Sequence, residues 1–301
     1  MLKCILLRLI YPMNSQHVSR INDVLYYIHQ DIANDLSAKK LADLAAYSEQ
    51  HFHRVFKRVV GEAVHQYIRR TRMEYAANQL MFDARTPIID IANKCGFSSL
   101  SSFAKAFKAE FQVAPGQWRH GEGISSTRAP IQDSDVAEGY RRVANLILPR
   151  PKIIETQPRL TAYIRHQGYN RSIRDSWNAL IHWAQEEGRS VSQQFGLHHS
   201  NPAWVALEQC RYVACLEIHK PVKLRGVVNQ LTIPGGLHAV FRLQGRYGEL
   251  LPQVSQIFEK WLPQSRYKLR LTPAYVHYHK NHFLCDDEQF EIDFYLPISV
   301  F

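Results

Sequence analysis

Apolar positions in the first third of the chain fall into two helical stripes that repeat. Phe52, Val55, Phe56 and Val59 recur at the three- and four-residue spacing of one helix face, and Phe103, Ala106, Phe107 and Phe111 do the same further on. Each stripe follows a short apolar helix and an aromatic-Ser turn: Leu41-Ala42 with Tyr47-Ser48 in the first copy, Ile91-Ala92 with Phe97-Ser98 in the second. Short helix, turn and second helix is the layout of a helix-turn-helix, written here twice. The copies are offset by 50 residues ahead of the turn and 51 behind it, so the second has one extra residue there. Ser48 and Ser98 or Ser99 are placed to cap the second helices, Gly61 to close the first of them, and Thr86-Pro87 to cap and start another. Between the copies, Val64, Tyr67, Ile68, Ala76 and Leu80 mark a rod of about 20 residues, about 30 Å long. Ile21, Leu25, Ile28 and Ile32 predict a helix that leans on the first copy.

The polar faces of the second helices carry the chemistry. Gln50, His53, Arg54 and Lys57 sit opposite the first stripe, and Leu100, Ser101, Ala104, Lys105 and Lys108 opposite the second. Arg and Gln suit base edges, Lys suits phosphate, and Leu or Ala suits a thymine methyl. A rod of that length would set two recognition helices about 34 Å apart, the separation of successive major grooves.

A different periodicity takes over in the second half. Residues 160–168 and 237–245 align with five of nine positions the same, Leu, Ala, Arg, Gln and Gly. A helical stripe follows each: Ile173, Trp177, Leu180, Ile181 and Ala184 in one, Leu250, Val254, Ile257, Phe258 and Trp261 in the other. Strands are then predicted at 204–208 and 212–219 in the first unit and at 274–280 and 290–296 in the second. Two β-α-β-β repeats predict one antiparallel sheet with both helices on one face and a groove along the pseudo-two-fold. The fold class is therefore multidomain: an all-α double helix-turn-helix in front and an α+β domain behind. The predicted boundaries are an extension over 1–16, the DNA-binding domain over 17–120, a linker over 121–151 and the α+β domain over 152–301. Gly121, Gly123, Ser125, Ser126, Thr127 and Pro130 give the linker its flexible composition, Pro149-Arg150-Pro151 its extended end, and a short helix is expected between Val136 and Leu148.

At 301 residues, with 46% apolar composition, the chain has enough material for two packed cores. Its net charge of +10 favours a polyanionic partner. That excess is split evenly, however: residues 1–123 hold 16 Lys+Arg against 11 Asp+Glu, and the remainder 21 against 16. Placement on a face must therefore decide its meaning. The opening stretch to Pro12 is too short for a bilayer span and has no clean cleavage site, so neither a membrane segment nor a signal peptide is expected. The abrupt change at Met13-Asn14-Ser15 makes Met13 a candidate first residue. Five cysteines without a Cys-x-x-Cys point to a reducing cytoplasm, with Cys95 in a core slot and a redox role for Cys210 and Cys215 unsupported.

Residues 17–120 resemble the DNA-binding domain of the AraC/XylS regulators. The resemblance is carried by Leu41-Ala42, Tyr47-Ser48, residues 51–57, Gly61, Ile91-Ala92, Gly96-Phe97-Ser98, Phe103, Phe107-Lys108, Pro115 and Trp118-Arg119. It implies a bacterial protein reading two adjacent segments of double-stranded promoter DNA, with Gln50, His53 and Arg54, then Leu100, Ser101, Ser102 and Lys105, toward the bases. It also implies an activator that works through RNA polymerase. Ala46 and Gln112 stand where that family usually has glycine, and Val64 where it often has proline. Residues 152–301 are similar to GyrI-like, multidrug-sensor effector domains through residues 235–241, Gly245, Trp261-Leu262-Pro263 and residues 294–298. That likeness implies a small-molecule effector of cationic or aromatic character. Tyr163, Trp177, Trp204 and Tyr275 are then the candidate walls, and Glu217, Glu291 or Asp293 the counter-charge. At Tyr212-Val213-Ala214-Cys215 the acid of the family's Tyr-Asp-Ala-Cys is absent.

Catalysis finds no foothold in the sequence. There is no phosphate-cradling glycine loop, Gly-x-Ser-x-Gly or His-Glu-x-x-His, so no cofactor is expected and the chain is read as a non-enzyme. His277, His279 and His282 can share a strand face, but no carboxylate or cysteine at ligand spacing completes a metal site. The rival classes are a rear domain that hydrolyses a small molecule, and a gyrase-inhibitor-like module that binds another protein, with the front half as a targeting element.

Overall fold

The computed structural model describes residues 15–122, 133–221, 227–270 and 272–300. The alternative start at Met13 and the linker positions Gly123, Ser125, Ser126, Thr127 and Pro130 lie outside these residues. The front half is helical throughout: α1 (Ser15–Gln30), α2 (Ala38–Leu44), α3 (Glu49–Val60), α4 (Val64–Phe82), α5 (Ile88–Lys94), α6 (Leu100–Phe111) and α7 (Pro115–Arg119). Two cores form, one per helix-turn-helix, and α4 serves both. Val64, Tyr67 and Ile68 join Phe52, Val55, Phe56 and the α1 residues Ile21, Leu25 and Ile28 in the first core. Met73, Ala76, Ala77 and Leu80 join Phe103, Phe107, Phe111 and Trp118 in the second. At 19 residues α4 is about 28 Å long, close to the rod predicted from the apolar stripe.

Caps explain where these helices start. The Ser48 hydroxyl accepts from the His51 amide at 3.4 Å and opens α3; the Ser99 hydroxyl accepts from the Ser102 amide at 3.2 Å and opens α6. Ser98 takes no part in the cap. The expected Thr86 cap is also corrected: α5 begins one residue later, with Pro87 at its N-cap, because the Thr86 hydroxyl donates to Asp83 at 2.7 Å. Gly61 ends α3 with a φ of 91°.

Ala46 and Gln112, which stand where the AraC/XylS pattern has glycine, both adopt left-handed backbone, at φ 53° and 63°. A Cβ in that region is penalised by contact with the following carbonyl. Ala46→Gly is therefore expected to raise the unfolding free energy by about 0.5–1 kcal/mol, read from denaturant melts; a loss of stability would show the strain is not there. Gln112 gains less from the same change, because its side-chain amide donates to the Ala109 carbonyl at 3.1 Å.

Behind the DNA-binding half, α8 (Ser134–Arg142) is the expected linker helix. It is docked on the α+β domain: a Cβ on Gly139 would lie 2.1 Å from the Gly248 carbonyl oxygen, so backbone meets backbone there. The Tyr140 hydroxyl lies 3.0 Å from that of Ser255, and Gln256 donates to the Val143 carbonyl at 2.6 Å. The second part of the predicted tether therefore belongs structurally to the domain behind it.

The α+β domain runs β1 (Lys152–Thr156), β2 (Arg159–Gln167), α9 (Ile173–Glu186), β3 (Gln194–His198), β4 (Arg211–Glu217), β5 (Asn229–Ile233) and β6 (Gly236–Arg246). It continues with α10, which starts at Leu250–Gln256 and carries on through a π-helical turn at Ile257–Trp261 to Leu262–Gln264. β7 (Tyr267–Leu269), β8 (Ala274–Lys280) and β9 (Gln289–Val300) complete it. The first repeat is β2-α9-β3-β4 and the second β6-α10-β8-β9. All pairings are antiparallel, in the order β1-β6-β9-β8-β3-β4-β2-β5 with β7 on β9, so the repeats join where β3 meets β8. Alternation sorts the side chains. Ala162, Ile164, Tyr212, Ala214, Phe241, Val276 and Phe294 face α9 and α10, while Tyr163, Phe195, Val213, Tyr275 and Tyr295 face the other way.

One strand expectation fails. The stretch 204–208 leaves a turn and runs into a short 3-10 helix at Leu207–Gln209, and the strand that precedes β4 is Gln194–His198. Trp204 is buried in the core of the second helix-turn-helix, its ring 5.6 Å from Trp118 and 6.0 Å from Phe82. Tertiary burial against the other half accounts for its apolar character.

A candidate nucleic-acid interface and an interdomain cavity

On α3, Gln50, Arg54 and Lys57 are exposed; on α6, Leu100, Ser101, Ser102, Lys105 and Lys108 are exposed. Leu100 is 44% exposed, unusual for a leucine and suited to an apolar base contact. His53 is half-buried, its ring 5.4 Å from that of His65. The Ser102 hydroxyl is already committed within its own helix cap, donating to the Ser99 carbonyl at 2.9 Å. Apart from His53, the residues predicted to face the bases are thus exposed, and α4 connects the two faces.

The same α4 forms part of a second site. A cavity of about 740 Å³ opens between the two halves, on the face of the sheet that carries α9 and α10. Ile32, Tyr75, Asn78 and Phe82 line it from the front, and Tyr169, Trp204, Val254, Phe258 and Phe294 from behind. Of the seven predicted effector residues, only Trp204 lines this cavity. Trp177, on the sheet-facing side of α9, is fully buried and donates to the Tyr212 hydroxyl at 3.2 Å. Tyr163 and Tyr275 are on the opposite face, and the Tyr163 hydroxyl donates to the Asn22 carbonyl of α1 at 3.4 Å. Glu217, Glu291 and Asp293 also face away, Glu217 paired with Arg159 at 3.0 Å and the other two with Arg242 at 3.3 and 3.4 Å. These six residues are corrected as cavity residues. Strand alternation groups five of them on one face, and nothing in it says on which face the cavity opens.

A buried polar junction beside the cavity fastens the halves together. Arg211, at the start of β4, donates to Glu74 at 2.5 Å and to the Thr71 hydroxyl at 2.8 Å, both on α4. The Ser200 hydroxyl donates to the same Glu74 at 3.1 Å, and Arg70 reaches its other oxygen at 2.8 Å. Asn201 donates to Asn78 at 3.0 Å. The rings of His29 and His199 lie 4.4 Å apart, and burial holds both well below the usual imidazole range, so the pair is neutral. The tether composition pointed to two independent halves and gave no sign of this junction. Its participants are spread from residue 29 to 211, and no local pattern joins them.

Other candidates resolve simply. Cys95 is fully buried, and desolvation pushes its thiol up to about 12, leaving it inert. Cys210 and Cys215 are also buried with raised thiol pKa values, which supports no redox role. The three-histidine face separates: His277 and His279 are neighbours, but His282 is buried on the cavity side, its ring 4.0 Å from Phe283. No helix among the described residues is long and apolar enough to cross a membrane.

Two outward-facing recognition helices on one shared rod, joined to a sheet domain with a ligand-sized cavity, define a helix-turn-helix protein with a sensor domain. Residues 41–121 match a helix-turn-helix domain, and residues 149–299 match the GyrI-like small molecule binding domain. The chain belongs to the AraC-type regulators and carries a GyrI-like domain behind the DNA-binding one. It is 39% identical to the HTH-type transcriptional activator AarP of Providencia stuartii, over 34% of this chain and 74% of AarP. It is 32% identical to the probable transcriptional regulator LumQ of Photobacterium leiognathi, over 39% of this chain but only 48% of LumQ, about half that relative's length. Among solved structures, EcmrR in its DNA complex aligns with 88% of this chain and 99% of its own, at 12% identity and a TM-score of 0.42.

Proposed function

We propose that this chain is a one-component, ligand-responsive transcription regulator. Its two helix-turn-helices read adjacent major-groove segments of a promoter, α3 through Gln50, His53, Arg54 and Lys57 and α6 through Leu100, Ser101, Ser102, Lys105 and Lys108. The observation that carries the reading is the double use of α4. One of its faces lines the cavity and is pinned by Arg211, and its two ends hold the two recognition helices. A ligand that prefers one setting of this helix shifts DNA affinity by its difference in affinity for the two settings.

The cavity supports an effector that is chiefly apolar or aromatic. Phe82, Tyr169, Trp204, Phe258 and Phe294 supply ring surface, and the one interior carboxylate, Glu74, is already held by two arginines. A cationic ligand would find Asp31 and Glu259 only at the exposed rim. AarP is named a transcriptional activator, and we assign this chain the same sign of regulation, exerted through RNA polymerase in the cytoplasm with no chemistry on the ligand.

Arg54→Ala tests the DNA face. Loss of a base-reading guanidinium is expected to weaken specific binding by about 1–3 kcal/mol, measured by fluorescence anisotropy on a promoter fragment selected by the protein itself. An unchanged affinity and footprint would remove α3 from the interface. Turnover of a bound small molecule by the full chain would instead favour the hydrolase alternative.

A further inference from the structure

We propose that His277, His279 and Asp293 form a binding site for a divalent transition-metal cation of borderline softness, zinc foremost, on the sheet face turned away from the cavity. His277 and Asp293 are cross-strand partners in the β8–β9 ladder. The register slips between Tyr278 and Lys280, which makes His279 the extra residue of a β-bulge. A bulge re-aims the side chain it carries, and here it brings His279 onto the Asp293 side. The two imidazole rings lie 4.7 Å apart, and His279 Nε2 is 2.8 Å from Asp293 Oδ2. One ligand atom from each of the three residues lies within 4.8 Å of the other two. Around zinc, with bonds of about 2.0–2.1 Å, neighbouring ligand atoms are about 3.4 Å apart, so small side-chain rotations close the set.

The surroundings hold the three groups ready. His277 stacks on Phe195 at 4.7 Å with 19° between the planes, which fixes its ring orientation. Arg242 lies 3.4 Å from Asp293 Oδ1, leaving Oδ2 to the metal and steadying the carboxylate from behind. His279 and Asp293 are 35% and 24% exposed, so ions reach the site and water fills the remaining positions. Two imidazoles to one carboxylate select zinc, nickel or copper over magnesium and calcium, which prefer all-oxygen sets. A bare ion pair between His279 and Asp293 would account for their contact alone and leaves the convergence of His277 without a role. The sequence hid the site because the carboxylate arrives from a neighbouring strand.

Calorimetric titration of the untagged full chain with zinc chloride at neutral pH tests the proposal. The expected result is one zinc per chain, a thermal midpoint raised by zinc and unmoved by magnesium, and affinity reduced about tenfold or more in His279→Ala and in Asp293→Asn. His182→Ala, which removes an exposed imidazole on α9, leaves the affinity unchanged. No uptake of zinc, or uptake unaffected by either ligand variant, overturns the proposal. Cobalt(II) on the unaltered chain gives a readout that needs no variant: visible absorption bleached by zinc is expected, and its absence also overturns the site.

Discussion

Arg211→Ala is expected to lower the unfolding free energy by about 3–5 kcal/mol. The guanidinium is 11% exposed and its partner Glu74 6%, so alanine leaves a carboxylate underground with one arginine where it had two. The loss extends to the Thr71 hydroxyl and to the face of Tyr67, over which the guanidinium sits at 5.1 Å. Denaturant melts of the full chain give the magnitude. The paired replacement Glu74→Met with Arg211→Met separates charge from packing: substituting apolar groups for a buried pair is often neutral, so most of the stability should return. A single variant that loses less than about 1 kcal/mol would mean that water reaches the pair and that the halves are not fastened there. DNA affinity in the paired variant then reports whether the charged part of the junction transmits the ligand signal, since the fold is retained and only the Asn201–Asn78 bond of the polar link remains.

Trp204→Ala is expected to cost about as much, about 3–5 kcal/mol, through a different mechanism. The indole comes from the sensor half and fills the core of the second helix-turn-helix. There it meets Trp118, which in turn packs 5.7 Å from Phe107 and 4.7 Å from Phe111 of α6. The hole left by alanine is continuous with the interdomain cavity, so the neighbouring aromatics lose contacts that solvent does not replace. The effect on DNA should be lopsided: protection of the half-site read by α6 weakens while that read by α3 persists, because the first core contains none of these rings. Equal loss at both half-sites would place the effect in global unfolding. Isolated front-half fragments lack Trp204 and would present the same defect, so they are a poor substitute for the full chain.

The elements set by local pattern were legible in the sequence. Phe52, Val55 and Phe56, and Phe103, Phe107 and Phe111, give the recognition helices their buried side and therefore their free side, since one helix has only two sides to offer. The nine-residue repeat located β2 and β6, and alternation located β8 and β9. What depends on the partner of a surface was not legible. Tyr163 and Tyr275 alternate as well as any cavity residue, but the cavity opens on the other face of the sheet, and on theirs α1 packs instead. Trp204 sits in a stretch apolar enough for a strand, and its burial is supplied by Trp118 and Phe82 far away in sequence. Likewise Arg211 and Glu74 each resemble an ordinary surface charge until the fold brings them together.

The outer strands of the sheet carry a last consequence. β1 lies just ahead of the first repeat but pairs with β6 of the second, and β5 lies just ahead of the second but pairs with β2 of the first. Each repeat therefore borrows its margin from the segment leading into its twin, and the duplicated halves are interlocked like clasped hands. A gene encoding a single repeat with its leading segment would leave one margin bare and one arm unplaced. Two such chains would satisfy both by trading arms, so splitting the domain at its midpoint is expected to yield an exchanged dimer in place of a free-standing half.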